Sequence, residues 1–369
     1  MFIFLTVFTL IYGSGHWYVW QRLIKPLGLT GIPLWLTALL LMVMMWSFSV
    51  IHFGLRNRNG WLLGAVDLIS SVWMGMILYF VLVGIAGDLL RLVFFRGVPD
   101  GPLYSAVVTG IVLVITAYGL IEAHAVAVTR LQVALPKLPV SLDGFRIVQI
   151  SDVHVGRIVR GDRLEKIVSK VNELNPDLIV ITGDLVDADP SHIEDMIPAL
   201  QRLRAKNGVF AVPGNHEFFA GVDRSQAVVE RAGVTMLRNR WVTVAGGLQL
   251  IGRDDPMGPR ITGKAIPSLA EITRGLDLSL PAILLYHTPV TTLAELKERG
   301  IQLQLSGHTH KGQLWPFNYI VRLIFRTPYG LFTNGETTIY VSRGTGTWGP
   351  PMRVGARPEM TLITLTKKK

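Results

Sequence analysis

Five short polar clusters hold the residue types that could carry chemistry in this chain of 369 residues. Each cluster follows an apolar run that reads as a β-strand, and together they contain five of the nine histidines. In chain order they are Asp152-Val153-His154, Gly183-Asp184, Gly214-Asn215-His216-Glu217, Tyr286-His287 and Gly307-His308-Thr309-His310. Because α/β sheets place their sites at the carboxyl ends of strands, the clusters are predicted to meet in one site.

Aspartate, histidine and asparagine in this combination indicate a pair of divalent metal ions. Two dications about 3.5–4 Å apart need a carboxylate that they share, and Asp184 is the predicted bridge. Asp152 and His154 stand two residues apart in extended chain, so their side chains point the same way and can bind one metal together.

The last three clusters complete the predicted coordination. In a tight loop that begins with glycine, the side chains of His308 and His310 can point in different directions, so that each binds a different metal. Asn215 offers a neutral carbonyl oxygen, and His287 completes the second metal site. Two dications, two aspartates and a bridging hydroxide leave a small positive charge that attracts an anionic phosphate. Water on such a metal ionises near neutral pH, so metal-bound hydroxide is the predicted nucleophile.

The remaining candidates act on the substrate. His216 is predicted either to donate a proton to the departing oxygen or to steady the phosphoryl group, and Asp187 is placed to hold its tautomer. Arg157 and Lys311 are candidate contacts to the substrate phosphate, although Lys311 also fits a solvated loop lysine. The opposing interpretation treats the histidines as ordinary core or surface groups. This interpretation requires five clusters to supply the ligands of two metal ions by coincidence, which is improbable.

Short β-branched strands and amphipathic helices must position these clusters. Strands are predicted over 145–150, 178–182, 209–212, 249–252, 282–286, 302–305 and 338–342. Helices are predicted over 162–174, 191–206, 227–232 and 292–299, and Gly246-Gly247 is a predicted hairpin turn. This alternation predicts an α/β domain of two packed sheets covered by helices over residues 140–366.

The first third of the chain differs in composition. Charged residues make up only 17% of the chain and apolar residues 50%, with a formal charge of +10, and most charges lie after residue 123. Apolar runs over 1–20, 32–53, 61–82 and 103–121 reach the length of about 20 residues that a membrane helix needs. A single soluble globule and disorder are excluded, as is a disulfide scaffold, because cysteine is absent.

We therefore expect an all-α region of four transmembrane helices over 1–123, a linker over 124–139 and a basic tail over 367–369. The protein is expected to be an integral, multi-pass protein of a bacterial plasma or inner membrane. Cations flank the spans equally on both sides, so the positive-inside rule gives no orientation. The two groups are Arg56, Arg58, Arg130 and Lys137, and Arg22, Lys25, Arg91 and Arg96.

Four ionisable residues fall in or at the edges of the predicted spans. They are His16, His52, Asp67 and Asp88. An ionisable group inside a membrane is a functional candidate by default. The alternative is a hydrogen bond between helices or a side chain that reaches the interface. The sequence indicates no oligomeric state.

The motif set D-x-H, G-D, G-N-H-[DE], H and G-H-x-H resembles the calcineurin-like metallophosphoesterase superfamily over about residues 140–366. The resemblance implies a four-layer α/β/β/α sandwich around a dinuclear centre, with His216 as the catalytic histidine. It implies one metal held by Asp152, His154, Asp184 and His310. It implies a second metal held by Asp184, Asn215, His287 and His308.

The flanking sequences 142–147, 341–344 and 355–359 are similar to a membrane-associated bacterial branch of that superfamily. This branch includes transmembrane proteins with a metallophosphoesterase domain and enzymes that hydrolyse UDP-2,3-diacylglucosamine. Lys311 departs from the branch, which usually has a second glycine there. By resemblance Mn²⁺ is the favoured metal, while Fe and Zn suit the same ligands.

A segment over 314–326 bears on the substrate. Arg322 and Arg326 are four residues apart, so on a helix they share a face opposite Phe317, Ile320 and Ile324. Such a helix is either an interfacial membrane helix or a buried cover of the second sheet. The first alternative favours a lipid- or glycolipid-linked phosphate as the substrate, with UDP-2,3-diacylglucosamine as the best named example.

Two other classes of function remain open. A basic phosphoesterase could be a nuclease or a general phosphodiesterase, since positive charge attracts nucleic acid equally. Tethering by membrane spans argues against nucleic acid as the partner. The second class is a non-catalytic membrane sensor or scaffold.

Overall fold

The computed structural model describes residues 2–55, 58, 60–94, 101–187 and 193–368. The chain divides into two compact units. The helical unit comprises Met1–Glu122 and Gly349–Val354, and the α/β unit comprises Ala123–Trp348 and Gly355–Lys369. Arg56, Arg96 and the first two residues of the helix predicted over 191–206 lie outside the described residues.

Four long helices make up most of the helical unit. They are α1 (Phe2–Val19), α2 (Gly31–Ser49), α3 (Trp61–Phe94) and α4 (Pro102–His124). Within the described residues, three stretches are long and apolar enough to cross a membrane: Gly31–His52, Trp61–Phe94 and Pro102–His124. The prediction of four spans is therefore corrected to three. The chain over 1–20 does form α1, which is not among the candidate spans found in the described residues.

Asp88 on α3 is the acceptor of a polar cluster in the helical unit. The Tyr18 hydroxyl donates to one carboxylate oxygen at 2.8 Å, and Arg22 Nε donates to the same oxygen at 3.0 Å. The Tyr104 hydroxyl donates to the other oxygen at 2.9 Å. Asp88 is thus satisfied by neighbouring helices, as a polar group inside a membrane requires.

The other ionisable groups of the helical unit also have protein neighbours. Trp73 Nε1 donates to His16 Nε2 at 3.0 Å, and His52 Nδ1 lies 3.5 Å from an Asp67 carboxylate oxygen. These contacts favour the structural role of helix–helix hydrogen bonds over a functional site.

The segment Gly349–Val354 belongs to the helical unit, although it lies between two strands of the α/β unit in sequence. Met352 packs against Gly75 of α3 and Gly119 of α4, where a side-chain Cβ would meet its atoms at 2.8 and 3.2 Å. The Arg353 backbone N–H donates to the Gly119 carbonyl at 2.9 Å. Nothing in the hydrophobic pattern predicted this insertion.

Two six-stranded sheets form the α/β unit. The first sheet has the order β1-β12-β2-β3-β4-β5, and the second has the order β10-β11-β9-β8-β7-β6. The first sheet's strands are β1 (Ala127–Leu135), β2 (Arg146–Ile150), β3 (Leu178–Thr182), β4 (Val209–Val212), β5 (Thr235–Met236) and β12 (Glu359–Lys367). The second sheet's strands are β6 (Arg240–Val244), β7 (Leu248–Arg253), β8 (Ala282–Tyr286), β9 (Leu303–Ser306), β10 (Gly330–Asn334) and β11 (Thr337–Val341).

Eight α-helices lie in the described part of the α/β unit, and five of them pack on the outer faces of the sheets. The eight helices are α5 (Gly161–Glu173), α6 (Ile197–Leu200), α7 (Asn215–Ala220), α8 (Val222–Arg231), α9 (Gly258–Thr262), α10 (Leu269–Ile272), α11 (Leu293–Glu298) and α12 (Phe317–Ile324). One apolar core joins α5, α6 and α8 to the first sheet, and another joins α10 and α11 to the second. A third core fills the space between the sheets, with Ile147, Val180 and Leu285 fully buried there. The predicted four-layer α/β/β/α sandwich is confirmed.

Several predicted boundaries are corrected. Residues 124–139 are not a linker: β1 lies within them and pairs in parallel with β12, which itself runs into the predicted tail. The helix predicted over 191–206 is reduced in the described residues to a 3₁₀ turn and α6, because Pro198 sets a helix start rather than an interior. The helix predicted over 227–232 is the second half of a longer helix, α8.

The buried Glu359 carboxylate connects the two sheets. It accepts hydrogen bonds from Arg343 Nε at 3.0 Å and from the Tyr340 hydroxyl at 2.8 Å, and it also binds the Thr129 hydroxyl. Burial would raise the pKa of Glu359, but the Arg343 guanidinium outweighs it and lowers that pKa. The pair is therefore ionised, and removing one charge leaves the other buried without its partner.

We expect Glu359→Gln to destabilise the α/β unit by about 3 kcal/mol, the cost of breaking a buried ion pair. Thermal unfolding of the detergent-purified protein measures the change. Glu336→Gln is the matched control, because Glu336 is exposed and pairs with Lys368 at 3.6 Å on the surface. Equal melting temperatures for the two variants would contradict a stabilising role for Glu359.

Candidate metal centre

All seven predicted metal ligands lie in the connections that follow strands, five of them in loops, Asn215 at the start of α7 and His310 in a 3₁₀ turn. Parallel strands β2, β3 and β4 of the first sheet and β8 and β9 of the second end at this edge. The ligands, in chain order, are Asp152, His154, Asp184, Asn215, His287, His308 and His310. The structure thus brings every predicted ligand into one region, where parallel strands deliver their carboxyl ends.

One group of donor atoms matches the first predicted metal site. His154 Nε2 lies 3.1 Å from His310 Nε2, and His310 Nε2 lies 3.4 Å from a carboxylate oxygen of Asp152. His154 Nε2 also lies 3.8 Å from an Asp184 carboxylate oxygen. Ligand atoms of Asp152, His154 and His310 all lie within 4.8 Å of one another, and all three residues are buried.

A second group matches the other predicted site and shares Asp184 with the first. Its carboxylate lies 3.0 Å from His287 Nε2. His308 Nδ1 lies 3.3 Å from His287 Nε2 and 3.0 Å from the Asn215 side-chain oxygen. His287 Nδ1 faces the Thr182 carbonyl at 2.8 Å, which fixes the ring and presents Nε2 to the site, as carbonyl partners of metal-binding histidines do.

The electrostatics of the site suit divalent cations. Burial lowers the pKa of His154 and of His308 to about 3, so both imidazoles are neutral and have a lone pair for a metal. Burial opposes ionisation of Asp184, but His287 and His216 outweigh it and hold its pKa well below the usual value. Neutral imidazoles around an ionised carboxylate are the protonation states in which these residues bind metal.

Without a metal, the buried carboxylates must find their positive charge elsewhere. Burial raises the pKa of Asp152 to about 6. Burial opposes protonation of His287, yet Asp184 and Asp152 outweigh it and raise the pKa of His287 well above its usual value. The proton on His287 therefore supplies positive charge next to the buried carboxylates, and a bound dication can supply that charge instead. The donor set and its charge fit a pair of divalent ions.

The ligand loops hold unusual backbone conformations. Asp152, His154, Asp184, His308 and His310 have positive φ angles of 54°, 54°, 50°, 71° and 49°. For residues other than glycine, this region costs on the order of 1–3 kcal/mol each and is concentrated at functional sites. Five of the seven predicted ligands thus depend on surrounding structure to hold them in place.

Two glycines make room for the ligands. A Cβ on Gly214 would lie 2.2 Å from an Asp184 carboxylate oxygen. A Cβ on Gly307 would lie 2.3 Å from the Asp152 carboxylate. Because each contact is far below van der Waals separation, any side chain at these positions would displace the carboxylate it faces.

Glu217 fixes the loops to one another, a role that sequence analysis did not assign. Its buried carboxylate accepts backbone N–H bonds from Asp184 at 2.9 Å, Leu185 at 2.8 Å, Val186 at 3.1 Å and Gly214 at 2.7 Å. The loop after β3 is thereby joined to the loop after β4. The glutamate of the G-N-H-E cluster was visible in the sequence, but the donors to it were not.

His216 lies beside the ligands and pairs with Asp187 as predicted. Its Nδ1 lies 3.0 Å from an Asp187 carboxylate oxygen, and its backbone N–H donates to Asp184 at 2.9 Å. Burial opposes protonation of His216, but Asp184 and Asp187 outweigh it and raise its pKa to about 9. The imidazole is therefore protonated at neutral pH in this geometry.

The two candidate phosphate contacts have other neighbours. Lys311 Nζ lies 5.1 Å from the centre of the Tyr329 ring, a cation–π contact. Arg157 is buried at 7% exposure, and its carbonyl accepts a bond from Arg160 Nε at 3.2 Å. Contact of either residue with a phosphate stays a prediction.

The apolar segment after the last ligands forms α12 and ends at Ile324. Arg326 lies beyond the helix, which corrects the prediction that Arg322 and Arg326 share a helical face. Ile320, Leu323 and Ile324 are 47%, 87% and 67% exposed, and α12 has no buried residue. The next residue, Phe325, has its ring 5.6 Å from the His308 ring. An exposed apolar helix thus adjoins the metal centre.

Comparison with known proteins is consistent with this geometry. Residues 145–312 match the family described as calcineurin-like phosphoesterase. The chain is 30% identical to an uncharacterized metallophosphoesterase of Campylobacter jejuni, over 100% of this chain and 99% of that protein. It is 32% identical to the transmembrane protein with metallophosphoesterase domain of Danio rerio, over 95% of this chain and 86% of the relative.

We expect Asp184→Asn to lose bound metal, because the substitution removes the charge that both sites share. Elemental analysis of the purified protein should fall from two divalent ions per chain to fewer than one. Asp254→Asn is the matched control, since Asp254 is also buried but pairs with Arg238 at 2.8 Å outside the ligand cluster. Retention of two ions by the Asp184 variant would show that the carboxylate is not shared.

Glu217→Gln should weaken metal binding while every ligand remains present. The substitution removes a charged acceptor of four backbone donors, so we expect metal affinity to fall about 10–100-fold, as for other groups that support metal ligands. Competition with a fluorescent chelator measures the affinity. Glu230→Gln, on the exposed surface of α8, provides the comparison, and equal affinities would exclude Glu217 from holding the site together.

Proposed function

We propose a lipid or glycolipid as the substrate of this chain, which belongs to the calcineurin-like phosphoesterase family and is a metal-dependent phosphoric ester hydrolase. The reaction is hydrolysis of a phosphate ester or pyrophosphate at a dinuclear centre beside a membrane. The observation that carries the catalytic part is the Asp184 carboxylate, which lies in two of the three groups of candidate ligand atoms, one with His154 and His216 and one with His287 and His308.

Each residue of the site has a distinct role in this proposal. When bound, two divalent ions polarise the phosphoryl group and activate water for attack. His216 donates a proton to the departing oxygen, which it can do because it is protonated and is absent from both predicted ligand sets. Asp187 accepts from His216 Nδ1 and so orients the other ring nitrogen, Nε2, toward the substrate.

An exposed apolar helix beside the site supports the lipid part of the proposal. On α12 and just before it, Trp315, Phe317, Tyr319, Ile320, Leu323 and Ile324 are all between 39% and 87% exposed. The Arg322 side chain lies over the Tyr329 ring at 5.4 Å, so a cation accompanies this apolar surface. An apolar helix with a basic residue is the composition of helices that lie in a membrane interface.

The chain's own helices support a membrane location. We propose that the three candidate spans cross the bilayer and make this a multi-pass protein of a plasma membrane. The last of them ends at His124, and only Ala125 and Val126 precede β1. The net positive charge of the catalytic domain favours anionic head groups.

Within this class, UDP-2,3-diacylglucosamine remains the best named substrate, because it joins a lipid to a pyrophosphate. Mn²⁺ remains the favoured metal. A screen of phospholipids and nucleotide-sugar lipids against the Mn²⁺-loaded protein in detergent tests both proposals. Activity on plasmid DNA without activity on any lipid phosphate would favour the nuclease alternative.

His216→Ala should retain two metals and lose turnover, more so when the departing alcohol is a poor leaving group. We expect kcat to fall about 10²–10⁴-fold on an alkyl phosphodiester, and less on bis-p-nitrophenyl phosphate, whose phenolate leaves without a proton. His124→Ala, an exposed histidine outside the site, is the control. The same loss on both substrates would contradict proton donation by His216.

Replacing Phe317 and Ile320 together by serine should affect lipid substrates selectively. We expect the loss of kcat/KM on a vesicle-borne lipid phosphate to be about tenfold larger than the loss on a soluble aryl phosphate, since the apolar surface of α12 is removed. Leu278→Ser, at another exposed apolar position, is the control. Equal losses on both substrates would assign α12 a structural role.

A further inference from the structure

Two exposed aromatic side chains adjoin the ring of His216. The Phe219 ring centre lies 5.5 Å from that of His216, and the Trp348 ring centre lies 6.0 Å from it. Both rings stand nearly perpendicular to the imidazole. Phe219 is 40% exposed and Trp348 is 52% exposed, whereas His216 is only 6% exposed. An apolar surface open to solvent therefore lies at the proton donor.

The fold sets the backbone positions from which both rings project. Phe219 follows His216 by three residues on α7, a spacing that puts the two side chains on one face of the helix. The backbone N–H of Trp348 donates to the Gln313 side-chain oxygen at 2.9 Å, and the Gln313 side-chain amide donates to the Trp348 carbonyl at 2.7 Å. A backbone held in this way reduces the ordering that ligand binding requires.

The loop that carries Trp348 is bonded to the metal-ligand loop after β2. The Thr345 N–H donates to the Ser151 carbonyl at 2.7 Å, and the Gly346 N–H donates to the Asp152 carbonyl at 2.8 Å. A Cβ on Gly346 would lie 2.1 Å from the Val153 carbonyl oxygen, so only glycine permits this approach. The position of Trp348 is thus set relative to the reacting centre.

We propose that Phe219 and Trp348 form the subsite for the departing group of the substrate, and that this group carries an apolar alkyl or acyl chain, leaving as an alcohol from a phosphate ester and as a phosphate from a pyrophosphate. The inference rests on the proposed function of His216. A proton donor must lie within hydrogen-bond reach of the departing oxygen. Whatever is attached to that oxygen then lies against the rings beside His216, while the phosphoryl group stays with the metal ligands.

The neighbourhood of Trp348 identifies an alkyl chain as the occupant. The next residues, Gly349–Val354, belong to the helical unit, where Met352 packs on Gly75 and Gly119 inside two candidate membrane spans. Trp348 is therefore the residue that precedes, in sequence, a segment packed on two candidate membrane spans. A membrane lipid supplies an alkyl chain for the apolar surface of Trp348 to bind.

The reaction assigned to this subsite is a balanced hydrolysis. Water forms a bond to phosphorus and gives up one proton to solvent, the bond between phosphorus and the alkoxy oxygen breaks, and that oxygen takes up the proton from His216. His216 then regains a proton from solvent, so the net reaction consumes one water and releases one alcohol. The lipid is released as a neutral alcohol or as the alcohol end of a larger group. The phosphate charge remains on the other product.

A mixed diester, methyl decyl phosphate, tests the inference with the full-length, Mn²⁺-loaded protein in detergent. Its two alkoxy groups have nearly equal intrinsic leaving ability, so the product ratio reports which arm the protein places beside His216. We expect decanol and methyl phosphate to exceed methanol and decyl phosphate by at least about tenfold, within the range that apolar pockets discriminate. Mass spectrometry of both phosphate products measures the ratio.

Trp348→Ala and Phe219→Ala should each move the product ratio toward equal release of the two alcohols. The ratio is internal to each sample, so a smaller fraction of folded protein does not change it. Leu278→Ala, an exposed apolar residue elsewhere on the domain, should keep the ratio of the unchanged protein. An unchanged ratio in both aromatic variants, or preferred release of methanol, would overturn the inference.

Other outcomes separate this inference from the proposed function. Cleavage of bis-p-nitrophenyl phosphate without any cleavage of methyl decyl phosphate would overturn the alkyl subsite and leave the phosphoesterase intact. Cleavage of neither substrate would overturn the proposed function itself. If methyl uridine 5′-phosphate released uridine with the same dependence on Trp348, the subsite would belong to a nucleoside, and the alkyl assignment would be wrong.

Discussion

The structure of the metal centre depends on one buried carboxylate, Asp184, that must be ionised in a site almost closed to water. Burial by itself opposes that charge. The charge is tolerated because His287 and His216 face it and because backbone donors hold the loops around it. A carboxylate with two oxygens between two groups of imidazoles is also the arrangement that two dications require, so the electrostatic constraint and the chemistry coincide.

That constraint explains the irregular structure around the site. Positive φ angles at five predicted ligands, glycines with no room for a Cβ, and the Glu217 carboxylate all serve to keep short loops close together. Each is unfavourable by itself, and the two sheets supply the stability that holds them. The strained backbone lies in the loops, whereas the strands beneath are apolar and regular, as expected when rigid elements position a reactive site.

The sequence predicted which candidate ligands lie together, because their order in the chain follows the strands. A residue just after a parallel strand lies at the carboxyl edge of the sheet, so Asp152, Asp184 and His287 could be assigned to one site from chain order alone.

Features that depend on contacts distant in sequence were not predicted. Strand β1 was taken for a linker because its pairing with β12 spans most of the domain, and the entry of Gly349–Val354 into the helical unit left no periodic signal. The number of spans and the length of α12 were also overestimated, since apolar composition does not mark where a helix ends.

The central claim is that two metal ions share Asp184. Crystals of the metal-loaded protein, with anomalous scattering recorded at the metal edge, test it most directly. We expect two peaks about 3.5–4 Å apart, one among Asp152, His154 and His310 and the other among Asn215, His287 and His308, with an Asp184 oxygen at each. A single peak, or two peaks of which only one contacts Asp184, would contradict the account.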